Sequence, residues 1–396
     1  MQKKLLVLLA LPLATGGCGE KSSKNSGTVD LPVFDRLGLL KEISSTVIAP
    51  RYEGFTDQSK AMKQATDAFC TNLAGGANWA SAVTPVQAEW KKSMALWQEV
   101  EAWQFGPLTD EEGTLRYDIY TWPVVNACAV DRQLASTAAS PALSSNDSTK
   151  GLSAMEYLLF DNDSLHACKD TVTETQGWNE KPEATRQDLR CAYLKLLASD
   201  LVTQAESLQK KWNDGTQGYH FQLIAEGSDS ELQSRINVIS DSLFYLDATV
   251  KDKKLGAPLG LNDACRTGVC PDLVEHAFSK ESLTAVHRNI LGFQAAFDAG
   301  FDDYLKAAGG DDLADRLKAD LDQASQSAEA LAAQNSLSGF LANLDQAACA
   351  ATTAEDRKSE ICALYQDIKA ITDELKTEFV SILKLSTPAQ SSGDND

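Results

Sequence analysis

Apolar residues in this chain recur at intervals of three and four, and β-branched runs that alternate with polar residues are scarce. At about 100° per residue, that spacing gives each segment one apolar stripe, as in helices that pack on one another. It predicts helices over 33–48, 54–73, 85–104, 151–160, 183–212, 230–248, 279–306, 311–334 and 355–385. Thr84-Pro85-Val86-Gln87 reads as a helix start, with Thr84 as N-cap, Pro85 in the first helical position and Gln87 closing a capping box. The pattern breaks up between 105 and 150, and 135–149, rich in Ser, Ala, Asn and Asp, reads as a loop. A second break, Asn213-Asp214-Gly215-Thr216-Gln217-Gly218, follows the long 183–212 helix. The expected architecture is all-α: two packed helical bundle domains, residues 31–214 and 215–388, each long enough for its own core, with a disordered tail over 389–396.

Two carboxylates interrupt apolar faces. On the 151–160 helix Leu152, Met155 and Leu159 share a stripe, and Glu156 falls about 40° from Leu152, inside the apolar arc. A carboxylate there must be paired, metal-bound or protonated, because an isolated buried charge is too costly. On the 85–104 helix Trp90, Met94, Trp97 and Glu101 occupy one arc, while Glu99 points to the opposite side. Glu101 is then either paired with Arg116, or it forms with Glu156 a pair of acids that shares a proton or recruits a cation. Asp118 is close enough in sequence to join them.

The N-terminus bears on location. Lys3 and Lys4 precede an apolar run from Leu5 to Leu13 and then Ala14-Thr15-Gly16-Gly17-Cys18, the layout of a secretory signal. The run is too short to span a bilayer. Its end looks like a bacterial lipobox, with Thr15 where leucine is usual. The expectation is a signal peptide over 1–17, a lipidated Cys18, and a flexible tether over 18–30 rich in Lys, Ser, Asn and Gly. Gly19-Glu20 lacks the aspartate that often retains lipoproteins at the inner membrane. The expected location is therefore the bacterial cell envelope, at the outer membrane facing the periplasm, with the lipid anchor as the only membrane contact. The net charge of −20 becomes −22 once Lys3 and Lys4 are removed. That balance excludes nucleic acid, whose phosphates need basic contacts.

Eight further cysteines, Cys70, Cys128, Cys168, Cys191, Cys265, Cys270, Cys349 and Cys362, are an even number in an exported chain and read as disulfides. Spacing favours Cys265–Cys270 and Cys349–Cys362, then Cys168–Cys191, leaving Cys70–Cys128. No Cys-x-x-Cys pair supports a metal thiolate site.

The segment Gly151-Leu152-Ser153-Ala154-Met155-Glu156-Tyr157-Leu158-Leu159 resembles the signature of the imelysin-like family, Gly-x-His-x-x-Glu followed by Tyr-Leu-Leu. Ser153 stands where the family has histidine. Trp97, Glu101 and Phe105-Gly106-Pro107, then Arg116 with Trp122-Pro123, resemble further family elements. So do Lys254-Leu255-Gly256-Ala257-Pro258-Leu259-Gly260 and Glu275-His276-Ala277-Phe278-Ser279, the last of these usually Glu-Ser-x-aromatic-Ser. The resemblance spans most of residues 33 to 385 and implies two helical domains and a role in uptake of iron or another divalent or trivalent cation, with iron-uptake proteins as partners. The family's His and Glu are proposed metal ligands. Here the expected metal residues are Glu156, Glu101 and His276, which would supply from the second half the imidazole that Ser153 lacks, with Gly151, Ser153, Arg116 and Asp118 around them. Without that imidazole, an oxygen-rich site suits a hard cation better than zinc. His166, His220 and His287 have no ligand-like company.

Some relatives are classed as metallopeptidases, but catalytic zinc needs three protein ligands and an activated water, and this pattern offers one matched acid. No His-Glu-x-x-His, Gly-x-Ser-x-Gly, P-loop or dinucleotide fingerprint is present. The primary expectation is a metal-binding lipoprotein. A lipoprotein that has lost the metal and binds a partner or small ligand is the first alternative, and a metallopeptidase the second.

Overall fold

The apolar stripes assemble as helices. The computed structural model describes residues 32–161, 163–266, 268–353 and 355–388, and among them there is no β-strand. The expected signal peptide, Cys18, the tether and the 389–396 tail lie outside the described residues. The longer helices are α1 (Ala49–Ala74), α2 (Trp79–Glu101), α3 (Ala127–Ser136), α4 (Gly151–Phe160) and α5 (Glu183–Asn213). They continue with α6 (Asp229–Leu243), α7 (Ser282–Ala296), α8 (Asp311–Gln334) and α9 (Glu360–Glu374). Wider π-helical turns extend several of them, among them Ile43–Ile48 and Leu246–Gly256.

The expected start at Thr84 is incorrect. α2 begins at Trp79, with Asn78 accepting from Ala80 N at 3.0 Å, and Pro85 lies inside the helix. The driving contact is Trp79, which packs edge-on against Phe69 at 4.9 Å between ring centres and draws the extra turn into the core.

Helices α1, α2 and α5 form one layer, and α7 packs on α2 and carries α8 and then α9 beyond it. Gly292 makes the α2–α7 crossing close: a Cβ there would lie 2.3 Å from the carbonyl oxygen of Glu99. The 213–218 break is a turn closing α5, and the α2–α7 contact joins segments on either side of it.

The four disulfides include the two expected short ones, Cys265–Cys270 and Cys349–Cys362. The other two correct the sequence pairing: Cys70 bonds Cys191, and Cys128 bonds Cys168. The reason is helix packing. Thr56 Oγ1 donates to Ala205 O at 3.1 Å, so α1 and α5 run antiparallel in a register that brings Cys70 to Cys191. Asp131 on α3 accepts from Tyr157 Oη at 2.8 Å and from Ala167 N at 2.7 Å, which holds the loop carrying Cys168 against the start of α3. The Cys70–Cys191 link closes a loop of 121 residues. Replacing both cysteines by serine is expected to cost about 3–5 kcal/mol in chemical denaturation, against much less for Cys265–Cys270. Equal losses from the two pairs would contradict this assignment of the stabilising link.

Candidate functional site

Glu156 sits in α4, a helix buried nearly all round. Gly151 starts that helix with φ +64, and a Cβ there would lie 2.4 Å from Ile119 O. Only glycine lets the helix begin this close to the 118–119 backbone. The carboxylate is 5% exposed, and its partners come from the other half of the chain. His276 Nδ1 donates to Glu156 Oε2 at 3.0 Å, and Ser279 N and Oγ each donate to Oε1 at 2.9 Å. The loop achieves this through a left-handed His276, φ +44, closed by Lys280 N donating to His276 O at 2.9 Å. Such a conformation costs a non-glycine residue about 1–2 kcal/mol and marks a position held for its side chain.

From Glu156 a line of alternating charges runs inward. His276 Nε2 is 3.8 Å from Glu275 Oε1, Lys254 Nζ is 3.1 Å from that oxygen, and Lys254 Nζ is 3.4 Å from Glu101 Oε2. Neutral groups complete it. Lys254 donates to Gln98 Oε1 at 2.6 Å and Asn289 Oδ1 at 2.9 Å, and Tyr120 Oη donates to Glu275 Oε1 at 2.6 Å. Trp90 Nε1 fastens α2 to α4 by donating to Leu152 O at 2.9 Å, and its ring stands edge-on to His276.

Burial and mutual charge set the protonation of this line. Burial, reinforced by Glu275, outweighs the pull of Lys254 and raises the Glu101 pKa, holding that acid toward its neutral form. Burial also acts against ionisation of Glu275, but Lys254 and His276 prevail and lower its pKa. For His276, burial disfavours the imidazolium, yet Glu275 and Glu156 overcome it and raise the pKa above 6.5.

A raised histidine pKa stabilises the fold fully below the unfolded value of 6.5 and ceases to do so as pH climbs through the elevated one. Glu101 acts in the same direction from 4.5 upward, whereas the Glu275 contribution is present above 4.5 and is lost as pH falls through its depressed value. Thermal stability is therefore expected to decline above pH 6.5, and His276→Gln is expected to flatten that decline. Melting curves of equal pH slope for both proteins would remove the charge from His276.

Of the sequence candidates, the structure brings together Gly151, Ser153, Glu156 and His276. Glu101 joins them at the far end of the charged line and does not contact Glu156. Ser153 Oγ accepts from Thr121 N at 3.3 Å. Ser153, Glu156, His276 and Tyr120 line a cavity of about 200 Å³ walled by Trp122 and Phe278. Two expectations are corrected. The contact partner of Glu101 is Lys254 at 3.4 Å; Arg116 acts on Glu101 through its charge at longer range, and its guanidinium lies over the Tyr117 ring at 4.2 Å. Asp118 pairs with Lys150 at 2.5 Å and stands outside the centre. Sequence reading missed Lys254 as a site residue because it closes a charged run, Lys251-Asp252-Lys253-Lys254. The signal was its spacing: Leu246, Val250 and Lys254 recur at intervals of four and are all buried.

An all-α protein built around a buried line of opposite charges beside a small polar cavity is the class these features define. A family model described as imelysin matches residues 48–375, and the chain belongs to that family. Over 255 residues it is 26% identical to a protein named iron-regulated protein A from Synechococcus elongatus, covering 62% of this chain and 60% of that one. The chain thus matches less than two thirds of that curated relative's length. Two crystal structures share the fold. A protein described as an iron-regulated protein A precursor from Parabacteroides distasonis matches with a TM-score of 0.61 and 15% identity, over 88% of this chain and 97% of that one. An imelysin-like protein from Psychrobacter arcticus matches with a TM-score of 0.58 and 17% identity, over 90% and 98%.

Proposed function

We propose that this protein is a non-enzymatic binding component of an iron-associated process at the bacterial cell envelope, anchored through Cys18 at the outer membrane and facing the periplasm. Its cargo is an iron ion taken up where Glu156 and His276 meet, with release of the proton that His276 shares with Glu156. The observation that carries this reading is the convergence, on one cavity, of a carboxylate and an imidazole 3.0 Å apart, contributed by segments 120 residues apart in the chain. The names of the relatives support an iron-related role, and four disulfides suit an oxidising compartment.

Among the described residues, no three of His, Cys, Asp and Glu gather as a metal site. A resident catalytic metal needs three protein ligands, which the Glu156–His276 pair does not supply. Two side chains suit an exchangeable cargo ion that keeps most of its coordination for water or a small chelator. One observation favours a second reading, a ligand- or protein-binding role without metal: both oxygens of Glu156 are already engaged, by His276 and Ser279.

Calorimetric titration of the full-length chain with ferric, ferrous, zinc and calcium ions tests the proposal. Iron binding is expected, weakened about 10–100-fold in Glu156→Ala and His276→Ala. A native protein that binds none of these ions, alongside a Ser153→His variant that does, would establish the second reading.

A further inference from the structure

A second cavity, of about 340 Å³, is lined by Tyr245, Arg116, Lys253, Thr249, Glu112 and Gly113. It brings an arginine and a lysine to one wall. With 56 acidic residues against 36 basic ones, most arginines find an acid: Arg51, Arg132, Arg190, Arg288, Arg316 and Arg357 all do. Among the described residues, neither Arg116 nor Lys253 forms an ion pair or a side-chain hydrogen bond, although both line one cavity and Arg116 is near enough to Glu101 to favour its charged form. Arg116 is only partly exposed, and its guanidinium carbon lies 4.2 Å from the centre of the Tyr117 ring. A guanidinium fork beside an ammonium is the pairing that grips two oxygens of one anion, the fork supplying direction and the ammonium supplying charge.

We propose that the Arg116–Lys253 cavity is a binding site for a small multivalent oxyanion, a polycarboxylate or a phosphate. Arg116 holds two oxygens in the plane of its fork, Lys253 neutralises the outer charge, and Thr249 supplies a hydroxyl at the wall. Glu112 at the rim, exposed and of like sign to the ligand, weakens binding. The site is separate from the Glu156 cavity, and the proposal stands whether or not that cavity takes iron.

The test is titration of the full-length chain with inorganic phosphate and with citrate, at low and at physiological salt, with chloride as control. The native protein is expected to bind at least one of the two polyanions and not chloride. Arg116→Gln and Lys253→Gln are each expected to weaken binding about tenfold, the loss of one charge-assisted hydrogen bond. Glu112→Gln is expected to tighten it. Lys253 and Glu112 are exposed, so their variants keep the reading clear even if Arg116→Gln perturbs folding. Tighter citrate identifies a polycarboxylate site, and tighter phosphate a phosphate site. No binding to either, binding matched by chloride, or Lys253→Gln and Glu112→Gln variants that bind like the native protein would overturn the proposal.

Discussion

Lys254→Met is expected to destabilise the protein by about 3–5 kcal/mol, the usual consequence of removing one member of a buried ion pair. The ammonium is fully buried and lies within 3.4 Å of both Glu101 and Glu275. Methionine keeps most of the side-chain length, so the loss is electrostatic: buried Glu275 keeps only His276, 3.8 Å away, as a neighbouring cation, and loses the closer one. The second substitution Glu275→Gln should then recover a substantial part of the loss, because the uncompensated charge is what makes the single variant unstable. Chemical denaturation of the native, single and double variants measures both effects. A double variant no more stable than Lys254→Met would mean that packing, and not charge, accounts for the residue.

Gly151→Ala is expected to be nearly as severe, at about 3–5 kcal/mol, because it combines a left-handed backbone with a clash against main chain. Its φ is +64, and the added methyl would lie 2.4 Å from Ile119 O and 2.8 Å from Asp118 O. Backbone cannot step aside as a flexible side chain would, so α4 has to move. Because α4 carries Ser153 and Glu156, the damage reaches the cavity, and ligand binding should fall along with stability. An alanine variant that melts within a degree or two of the native protein would show that the helix start is free to relax.

Much of the fold was legible because helical periodicity depends on neighbours in sequence. The 151–160 and 311–334 helices were read with the bounds the structure gives them, and 183–212 fell within one residue. The start of α2 is not legible because Pro85 is the stronger local signal, whereas the burial of Trp79 against Phe69 is tertiary. The long-range disulfides failed for the same reason: Cys70 and Cys191 meet through the antiparallel register of α1 and α5, which spacing along the chain does not encode. At the site, the geometry of one helix was enough to show that Glu156 needs a partner. It could not show which partner, and Lys254 in particular was hidden among exposed-looking charges.

His276 carries a further consequence. In the family pattern an imidazole and a carboxylate sit three residues apart on one helix, at a spacing of about 4.5 Å of axial rise that the helix itself keeps constant. Here Ser153 leaves that place, and the imidazole reaches Glu156 from a loop 120 residues away. The gap between the two groups is thus no longer a property of local winding. It depends on how firmly the 275–280 loop seats on α4, so a small lift of that loop would open the grip without unwinding any helix. With serine at 153 and histidine at 276, the seating of a loop, and not the pitch of a helix, sets where the imidazole meets the carboxylate.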